Sequence, residues 1–410
     1  MRIAIVADSF PPLKNSAAVL VFSLAEVFAS EGHHVLVVTP SNEIEKNYIE
    51  DDYGTFRVLR IRCGGIKSHY KFLRGISELS LFYLLPYHFN KTQYGDESWD
   101  LVIWYSPTIF LGGLVKSLKK KTYFSYLILR DIVPDWMLDI GLMKKGFSFY
   151  LLKWFEHYQY RLADVIGIQS PGNRKYIENL LLPNLKSLEV LPNWMPSISK
   201  AHHFVEDKNS YTNLQKTILA GRTILIYAGN LGEAQGVGNL AQVILNLRDR
   251  PDCGFLIIGR GSKKEWLHNF IKTHNLDNAL LLDEVDLVTL SMYYRQSHCG
   301  LVFLDPNHKS HNIPGKFISY LEAGLPVAAY VNSGNDLIKI IVQNRLGMVA
   351  DNLHQFSNDL NSVIISAKYK TSYSVRARSY YENNYQPTAI AKQIIKTVTH
   401  VELAKSIDKR

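Results

Sequence analysis

Segment 313–327, IPGKFISYLEAGLPV, carries two charged residues whose positions suit chemistry better than helix stability. Pro314 is typical of a helix start, so Lys316 is expected in the first turn, where its charge opposes the helix dipole. Glu322 follows near the expected helix end, where the dipole disfavours a carboxylate. A phosphate at this helix start would meet both backbone amides and the Lys316 ammonium. The segment predicts a phosphate site; an exposed helix with indifferent charges is the alternative, because each penalty is only about 0.3–1 kcal/mol.

Two glycine-rich turns follow strand-like apolar runs in the second half of the chain. Residues 225–228 lead into 229–236, GNLGEAQG, and residues 256–258 lead into the sequence GRG at 259–261. Glycine lets backbone N–H groups approach a phosphate without a Cβ in the way. Neither turn is a G-x-G-x-x-G or a Walker motif. Two such turns on successive strand ends indicate a nucleotide site.

Polar residues also follow two apolar runs in the first half. One run leads through a loop to a helix start near Ser16, whose amides can face an anion, but capping by Ser16 or Asn15 needs no ligand. Arg130 and Asp131 come directly after another apolar run, where α/β enzymes keep working residues. A surface turn with a local ion pair is the alternative for them.

His308 and His311 are three residues apart and could face one metal ion. No third ligand is obvious, and Lys309 would repel a cation. We therefore predict no metal site, and a solvated loop at these residues.

Short apolar runs alternate with helical stretches in both halves of the chain, which predicts two parallel, doubly wound sheets. A linker is expected near 192–215, so the domains are predicted at 1–195 and 196–387, followed by a helix at 388–404. The runs predicted as strands are 3–7, 35–38, 101–104, 123–129, 165–168, 224–228, 255–258, 280–282, 300–304 and 327–330.

The 410 residues are 47% hydrophobic and 20% charged, which is typical of a globular chain of two or three domains. The 46 Lys and Arg residues exceed the 37 Asp and Glu residues, and a net charge of +9 suits a phosphorylated ligand, an anionic membrane face or nucleic acid. Nucleic acid is not expected as a partner, because the dense basic run 119–121 has no recognition motif beside it.

The location in the cell follows from what the sequence lacks. The N-terminal apolar run ends at Asp8, too early for a signal peptide, and no run approaches the roughly 20 apolar residues of a spanning helix. Three widely spaced cysteines give no disulfide framework, so the cytoplasm is predicted. The aromatic and basic segment 147–161 is either a core helix with a basic rim or a membrane-interface segment.

In their order and spacing, these motifs resemble the family-4 retaining glycosyltransferases of the GT-B fold. The likeness is to the bacterial branch that builds O-antigen, capsule or colanic-acid-type polysaccharides, including transferases of N-acetylated amino-deoxy sugars such as L-fucosamine. It implies an α/β fold of two Rossmann-like, doubly wound domains facing across a cleft, with the last helix crossing back to the first domain. The motifs are ADSFPPLKNS at 7–16, EGHHVLVVTP at 31–40, LRDIVPDW at 129–136, YAGNLGEAQG at 227–236, IIGRG at 257–261 and IPGKFISYLEAGLPV at 313–327.

The resemblance also implies roles for residues at matching positions. Lys316 would contact the donor diphosphate, Glu322 the ribose and Val285 the base. Lys316 and Asp131 are the expected catalytic residues, and Arg130, Asp131 and Arg74 the expected acceptor side. The other expected donor-side residues are Ser16, Asn230, Gly232, Gln235, Gly236, Gly259, Arg260, Gly261 and Pro314. Asn230 and Gln235 depart from the Arg and Lys of many members, Pro314 replaces a glutamate, and Arg130 stands where a histidine is common.

The function implied is transfer of a sugar such as L-FucNAc from a UDP-sugar to a saccharide linked to undecaprenyl diphosphate. The protein would work without a metal or other cofactor, in the cytoplasm and peripherally on the inner membrane. Lys316 would meet the charge that grows on the departing phosphate, and Asp131 would orient the acceptor or take its proton.

Segment 69–92, which contains Arg74, is basic and aromatic and could meet lipid or the acceptor diphosphate, although an Arg74–Glu78 helix pair is the simpler explanation. The alternative functions are a non-catalytic nucleotide-sugar-binding subunit and a nucleotide-sugar 2-epimerase.

Overall fold

The computed structural model describes residues 1–13, 15–63, 71–139, 141–180, 182–196, 212–307, 313–350, 352–364 and 367–407, with the side chains of 71–77, 361–371 and 402–407 left out. The chain forms two compact units. Unit 1 comprises Met1–Pro192 and Pro387–Arg410, and unit 2 comprises Asn193–Gln386. Each unit has its own sheet.

Unit 1 is built on an eight-stranded sheet in the order β3-β4-β2-β1-β5-β6-β7-β8, in which only the edge pair β3–β4 is antiparallel. The central strands are buried apolar runs, as expected of a parallel sheet covered on both faces. Its strands are β1 Arg2–Val6, β2 His34–Ser41, β3 Tyr48–Asp52, β4 Arg57–Arg62, β5 Trp99–Tyr105, β6 Thr122–Leu129, β7 Val165–Ile168 and β8 Ser187–Val190. Its helices are α1 Ser16–Ser30, α2 Lys71–Phe89, α3 Gly112–Lys119, α4 Asp135–Asp139, α5 Phe147–Leu162 and the last helix of the chain, Pro387–Ile407.

The last helix is fastened to the edge of this sheet by side-chain hydrogen bonds. Gln393 donates to the Glu189 carboxylate at 2.8 Å and to the carbonyl oxygen of Val190, also at 2.8 Å. Thr397 donates to the same carboxylate at 3.0 Å. The C-terminal segment is therefore part of unit 1, although the chain reaches it only after unit 2.

Unit 2 has a six-stranded parallel sheet in the order β11-β10-β9-β12-β13-β14. The strand order reverses between β9 and β12, and open α/β sheets bind ligands beyond the carboxyl ends of strands at such a point. The strands are β9 Thr223–Ala228, β10 Cys253–Ile258, β11 Ala279–Leu282, β12 Cys299–Phe303, β13 Val327–Tyr330 and β14 Gly347–Ala350. The helices are α6 Val237–Asn246, α7 Lys264–Thr273, α8 Leu287–Gln296, α9 Gly315–Glu322, α10 Asp336–Gln343, α11 Leu353–Ile364 and α12 Ala367–Asn384.

The prediction of two doubly wound, Rossmann-like units is confirmed, and every run predicted as a strand overlaps one, with 3–7 and 300–304 each extending one residue past the strand end. The pair β3–β4 was not predicted, because the polar sequence YIEDD of β3 has no apolar face and alternates between exposed and half-buried residues. Among the described residues, no helix is both long and apolar enough to cross a bilayer.

Candidate functional site

The two glycine turns of unit 2 lie side by side because they follow neighbouring strands, with Ala228 of β9 paired to Ile258 of β10. The Gly229 amide donates to the Ile258 carbonyl at 2.9 Å, and the Leu231 amide donates to the Arg260 carbonyl at 2.8 Å. A Cβ on Gly259, whose φ is +156°, would lie 1.9 Å from the carbonyl oxygen of Gly229. Glycine at this position is therefore required by the contact of one turn with the other.

Helix α6 begins at the end of the first turn without a side-chain cap. Its N-cap residue is Gly236, in the left-handed region with φ +56°, and a Cβ there would lie 3.0 Å from the carbonyl oxygen of Leu304. Helix α9 is likewise preceded by Pro314, which offers no capping side chain. Pro314 is thus the N-cap of α9 and not its first helical residue, because its ψ of 140° is extended. Two uncapped helix starts favour an anionic ligand.

Lys316, the second residue of α9, extends to the first glycine turn. Its Nζ donates to the Tyr227 hydroxyl at 2.6 Å and to Oε1 of Gln235 at 2.9 Å, and lies 3.8 Å from the centroid of the Tyr227 ring. A Cβ on Gly229 would lie 3.8 Å from the same nitrogen. The ammonium is therefore held against the turn by groups that carry no formal charge.

Tyr227 links the lysine to the turn. Its side chain is fully buried at the end of β9, and its hydroxyl donates to the carbonyl oxygen of Asn230 at 2.7 Å while it accepts from Lys316. Burial raises the pKa of this phenol well above its ordinary value, so it stays neutral. Sequence reasoning missed Tyr227 because it reads as one more strand residue; the signal available was a phenol directly before a glycine turn.

Burial lowers the pKa of the Lys316 ammonium to about 7. Desolvation disfavours the charged form, and the two oxygen partners compensate for only part of the lost hydration. A ligand that brings two negative charges, such as a diphosphate, would restore the charged form. The arrangement is a candidate anion site whose lysine has a pKa near neutral pH.

The other predicted donor-side residues are spread around these turns. Glu322 ends α9, about 9 Å along the helix axis from Lys316 by the ordinary rise per residue. It lies near Tyr294 and Tyr381, where its charge adds to the effect of burial in raising the pKa of both phenols. Arg260 is exposed, with Nε 2.9 Å from a carboxylate oxygen of Glu284.

The remaining predicted donor-side residues of unit 2 differ in exposure. Val285 is half-buried and packs against the core under α9. Among the predicted residues of the two turns, Asn230, Gly232, Gln235 and Gly261 are exposed or half-buried, and Gly236 and Gly259 are buried.

In unit 1, Arg130 is used within the fold. The residue is 4% exposed, and its guanidinium donates to the carbonyl oxygens of Leu191 at 2.6 Å and Pro192 at 3.3 Å. Its charge therefore holds the chain after β8 in place, and its acceptor-side role stays a prediction. Asp131 is half-buried, and its carbonyl oxygen accepts from the Ser106 hydroxyl at 3.5 Å.

The remaining predictions concern Ser16, Arg74 and the pair His308 and His311. Ser16 is the exposed first residue of α1, and Asn15 is the cap, because its side chain accepts from the Ala18 amide at 2.9 Å. Arg74 lies in α2, but its side chain is outside the described part. His308 and His311 also lie outside the described residues.

Comparison with known proteins identifies the class of enzyme. Residues 212–380 match the family model "Glycosyl transferases group 1", a segment that contains both glycine turns and α9. The chain is 22% identical over 364 residues to the "Putative colanic acid biosynthesis glycosyl transferase WcaI" of Escherichia coli strain K12, a match that covers 86% of each protein. This chain is a glycosyltransferase. The candidate anion site around Lys316 thus lies in the segment that the family model matches.

Solved structures similar to this glycosyltransferase share its GT-B fold. Sucrose-phosphate synthase from Thermosynechococcus elongatus has a TM-score of 0.74 and 14% identity, with 98% of this chain and 100% of that chain covered. An alpha,alpha-trehalose-phosphate synthase (UDP-forming) from Burkholderia xenovorans, in complex with glucose-6-phosphate, has a TM-score of 0.72 and 10% identity, with 97% and 100% covered. At these identities the likeness is one of fold.

Proposed function

We propose that this glycosyltransferase moves a sugar, of the N-acetylated amino-deoxy type such as L-FucNAc, from a UDP-sugar to a saccharide linked to undecaprenyl diphosphate. The product would enter a bacterial polysaccharide of the O-antigen, capsule or colanic-acid type. The name of the Escherichia coli relative supports the polysaccharide, and the UDP-forming structural neighbour supports the nucleotide. The observation that carries the proposal is the Lys316 ammonium, held at the start of α9 by a phenol and an amide.

The reaction proposed is a displacement with retention. The acceptor oxygen forms a bond to the anomeric carbon on the face from which UDP leaves, and the bond from that carbon to the diphosphate oxygen breaks. The proton of the acceptor hydroxyl passes to Asp131 or to the departing diphosphate. The electron pair stays with the diphosphate, where the charge grows next to Lys316 and the two uncapped helix starts. Preorganised donors of this kind stabilise a transition state more than a ground state. No residue in this scheme needs a metal ion.

A screen of nucleotide sugars tests the proposal. We expect UDP-sugars to raise the melting temperature more than GDP- or ADP-sugars, and a lipid-linked saccharide to release UDP and gain a sugar. Nucleotide binding without turnover on any acceptor would favour the non-catalytic subunit. A new nucleotide sugar formed without acceptor would favour the epimerase. An unchanged melting temperature with every nucleotide would contradict the donor site itself.

The activity should fall with rising pH because Lys316 must be protonated to bind the diphosphate. With a pKa of about 7 in the free enzyme, kcat/KM is expected to be full below pH 7 and to fall about tenfold per pH unit well above it. The bound diphosphate favours the ammonium, so kcat should fall only at higher pH.

The variant Tyr227→Phe removes one hydrogen-bond acceptor of the Lys316 ammonium and should lower the pKa of Lys316. The fall of kcat/KM with rising pH should therefore begin at a lower pH than in the wild type. If kcat/KM of this variant falls at the same pH as that of the wild type, the titrating group is not Lys316.

Asp131 is the residue we propose for orienting the acceptor hydroxyl or taking its proton. The variant Asp131→Asn keeps the shape and removes the charge, and we expect kcat to fall about tenfold, the scale of one charge-assisted hydrogen bond. UDP affinity, measured by calorimetry, should not change, because Asp131 belongs to unit 1 and the candidate anion site to unit 2. Wild-type kcat in this variant would remove Asp131 from the mechanism.

A further inference from the structure

Helix α5 of unit 1 carries apolar side chains on two faces. On its inner face Phe149, Phe155 and Tyr160 are buried in the unit. On its outer face lie Phe147, Tyr150, Leu151 and Trp154, which we call the α5 stripe. Their spacing of three, four and seven residues places them on one side of the helix. The segment is therefore a core helix that also presents an apolar stripe to solvent.

The α5 stripe is much more exposed than a structural role requires. Phe147 is 83% exposed, Tyr150 63% and Trp154 53%. An exposed aromatic residue on its own is ordinary, but four large apolar side chains in one helical stripe form a contiguous patch, and such patches mark interaction surfaces.

Helix α2 packs beside α5 and adds two exposed tyrosines. The ring of Phe82 lies 6.3 Å from Trp154 and 5.1 Å from Tyr83, so it joins the two helices beneath the surface. Tyr83 and Tyr87, one turn apart, are exposed on α2. Tyrosine and tryptophan dominate the patch, and these are the residues that favour the level of lipid headgroups.

Cations border the patch. Lys91 lies 4.0 Å from the ring centroid of Tyr87, and Lys144 and Lys145 are exposed immediately before α5. The carboxylate of α5, Glu156, is buried, bound by Lys153 and by the Tyr160 hydroxyl at 2.9 Å. The exposed charges on α5 and just before it are therefore positive.

Charge complementarity decides between two occupants of this surface. A second copy of the chain, docked through the same patch about a two-fold axis, would bring the same cations together. A bilayer with anionic lipids offers apolar depth for the aromatic side chains and negative headgroups for the lysines. We propose that the α5 stripe, with Tyr83 and Tyr87, docks this glycosyltransferase on the surface of a bilayer that contains anionic lipid. The proposal does not depend on which sugar is transferred.

Vesicle flotation of the full chain tests this docking. We expect the wild type to float with vesicles of phosphatidylcholine and phosphatidylglycerol, and much less with phosphatidylcholine alone. Phe147→Glu and Trp154→Glu should each weaken the partition about tenfold or more, because a carboxylate would enter the interface. Lys144→Ala with Lys145→Ala should weaken it about 25-fold at low salt, at about fivefold for each lysine.

The matched control is Tyr123→Glu, a charge placed on another exposed aromatic residue of unit 1, which should float like the wild type. All variants should keep the wild-type thermal shift with UDP, which separates this proposal from failure of the donor site. Flotation of Phe147→Glu and Trp154→Glu equal to that of the wild type would overturn the proposal. So would a dimer in sedimentation that Phe147→Glu dissociates, because that result assigns the surface to a second copy.

Discussion

Replacing Lys316 by methionine should lower kcat/KM for the donor about one hundred-fold. Methionine keeps the length of the stem and removes the ammonium that donates to Tyr227 and Gln235. A charge-assisted hydrogen bond contributes about 1.5–3 kcal/mol, which corresponds to one to two decades in rate. Because charge grows on the departing diphosphate, kcat should fall together with donor affinity. Steady-state kinetics with the donor varied measures both.

Lys264→Ala is the matched control for this prediction. Lys264 also begins a helix, α7, shortly after a glycine turn of unit 2, but its ammonium is paired with the Asp283 carboxylate. Since that charge is already neutralised locally, donor kinetics should change less than twofold. An equal loss of kcat/KM in both variants would mean that the overall positive charge of unit 2 matters, and not the position of Lys316. A Lys316→Met enzyme with wild-type kcat/KM would contradict the proposed anion site.

Lys316 shows which features of the candidate site could be predicted from the sequence. Its place in the first turn of a helix followed from Pro314, and the structure confirms that place. The sequence did not predict which residues Lys316 contacts, because Tyr227 and Gln235 precede it by 89 and 81 residues. Contacts over such separations depend on which strands become neighbours, and periodicity carries no information on strand order.

Arg130 illustrates a different limit of sequence reasoning. A charged residue after a buried strand was interpreted as a working group, yet its guanidinium is buried on the carbonyl oxygens of Leu191 and Pro192. A buried charge must find partners, and here the partners are backbone groups that the sequence does not mark. The interpretation of α5 was incomplete for a similar reason. Apolar residues on both sides of a helix fit a buried helix and a half-exposed one equally well, and only the exposure of each side chain in the folded structure separates them.

The second prediction with a large expected effect concerns Gly259, in the second glycine turn. From the sequence alone, the glycines of the two turns are expected to let a phosphate approach closely. The structure gives Gly259 a different reason, because a Cβ there would lie 1.9 Å from the carbonyl oxygen of Gly229. The two reasons differ in what they predict for an alanine. If only the phosphate needs the space, Gly259→Ala should lose donor affinity and keep its stability.

We expect Gly259→Ala to lose both. The φ of +156° is a region that alanine rarely adopts, and the clash is with backbone, which cannot rotate away as a side chain can. Strained backbone and overpacking each cost about 1–3 kcal/mol, so the free energy of unfolding of unit 2 should fall by about 3 kcal/mol. Moving the turns apart also shifts Asn230, whose carbonyl oxygen holds the Tyr227 hydroxyl beside Lys316. Donor affinity should therefore fall more than tenfold in the folded fraction.

Gly238→Ala is the control that isolates the clash. Gly238 lies in the first turn of α6, its Cβ would meet nothing within 4 Å, and alanine there should stabilise the helix by about 0.5 kcal/mol. Urea unfolding and UDP calorimetry on both variants give stability and affinity separately. If the Gly259→Ala protein is as stable as the wild type but cannot bind UDP, then glycine is needed at this position for the phosphate and not for the contact between the turns. A protein that keeps both properties would mean that the contact between the turns does not hold the candidate anion site together.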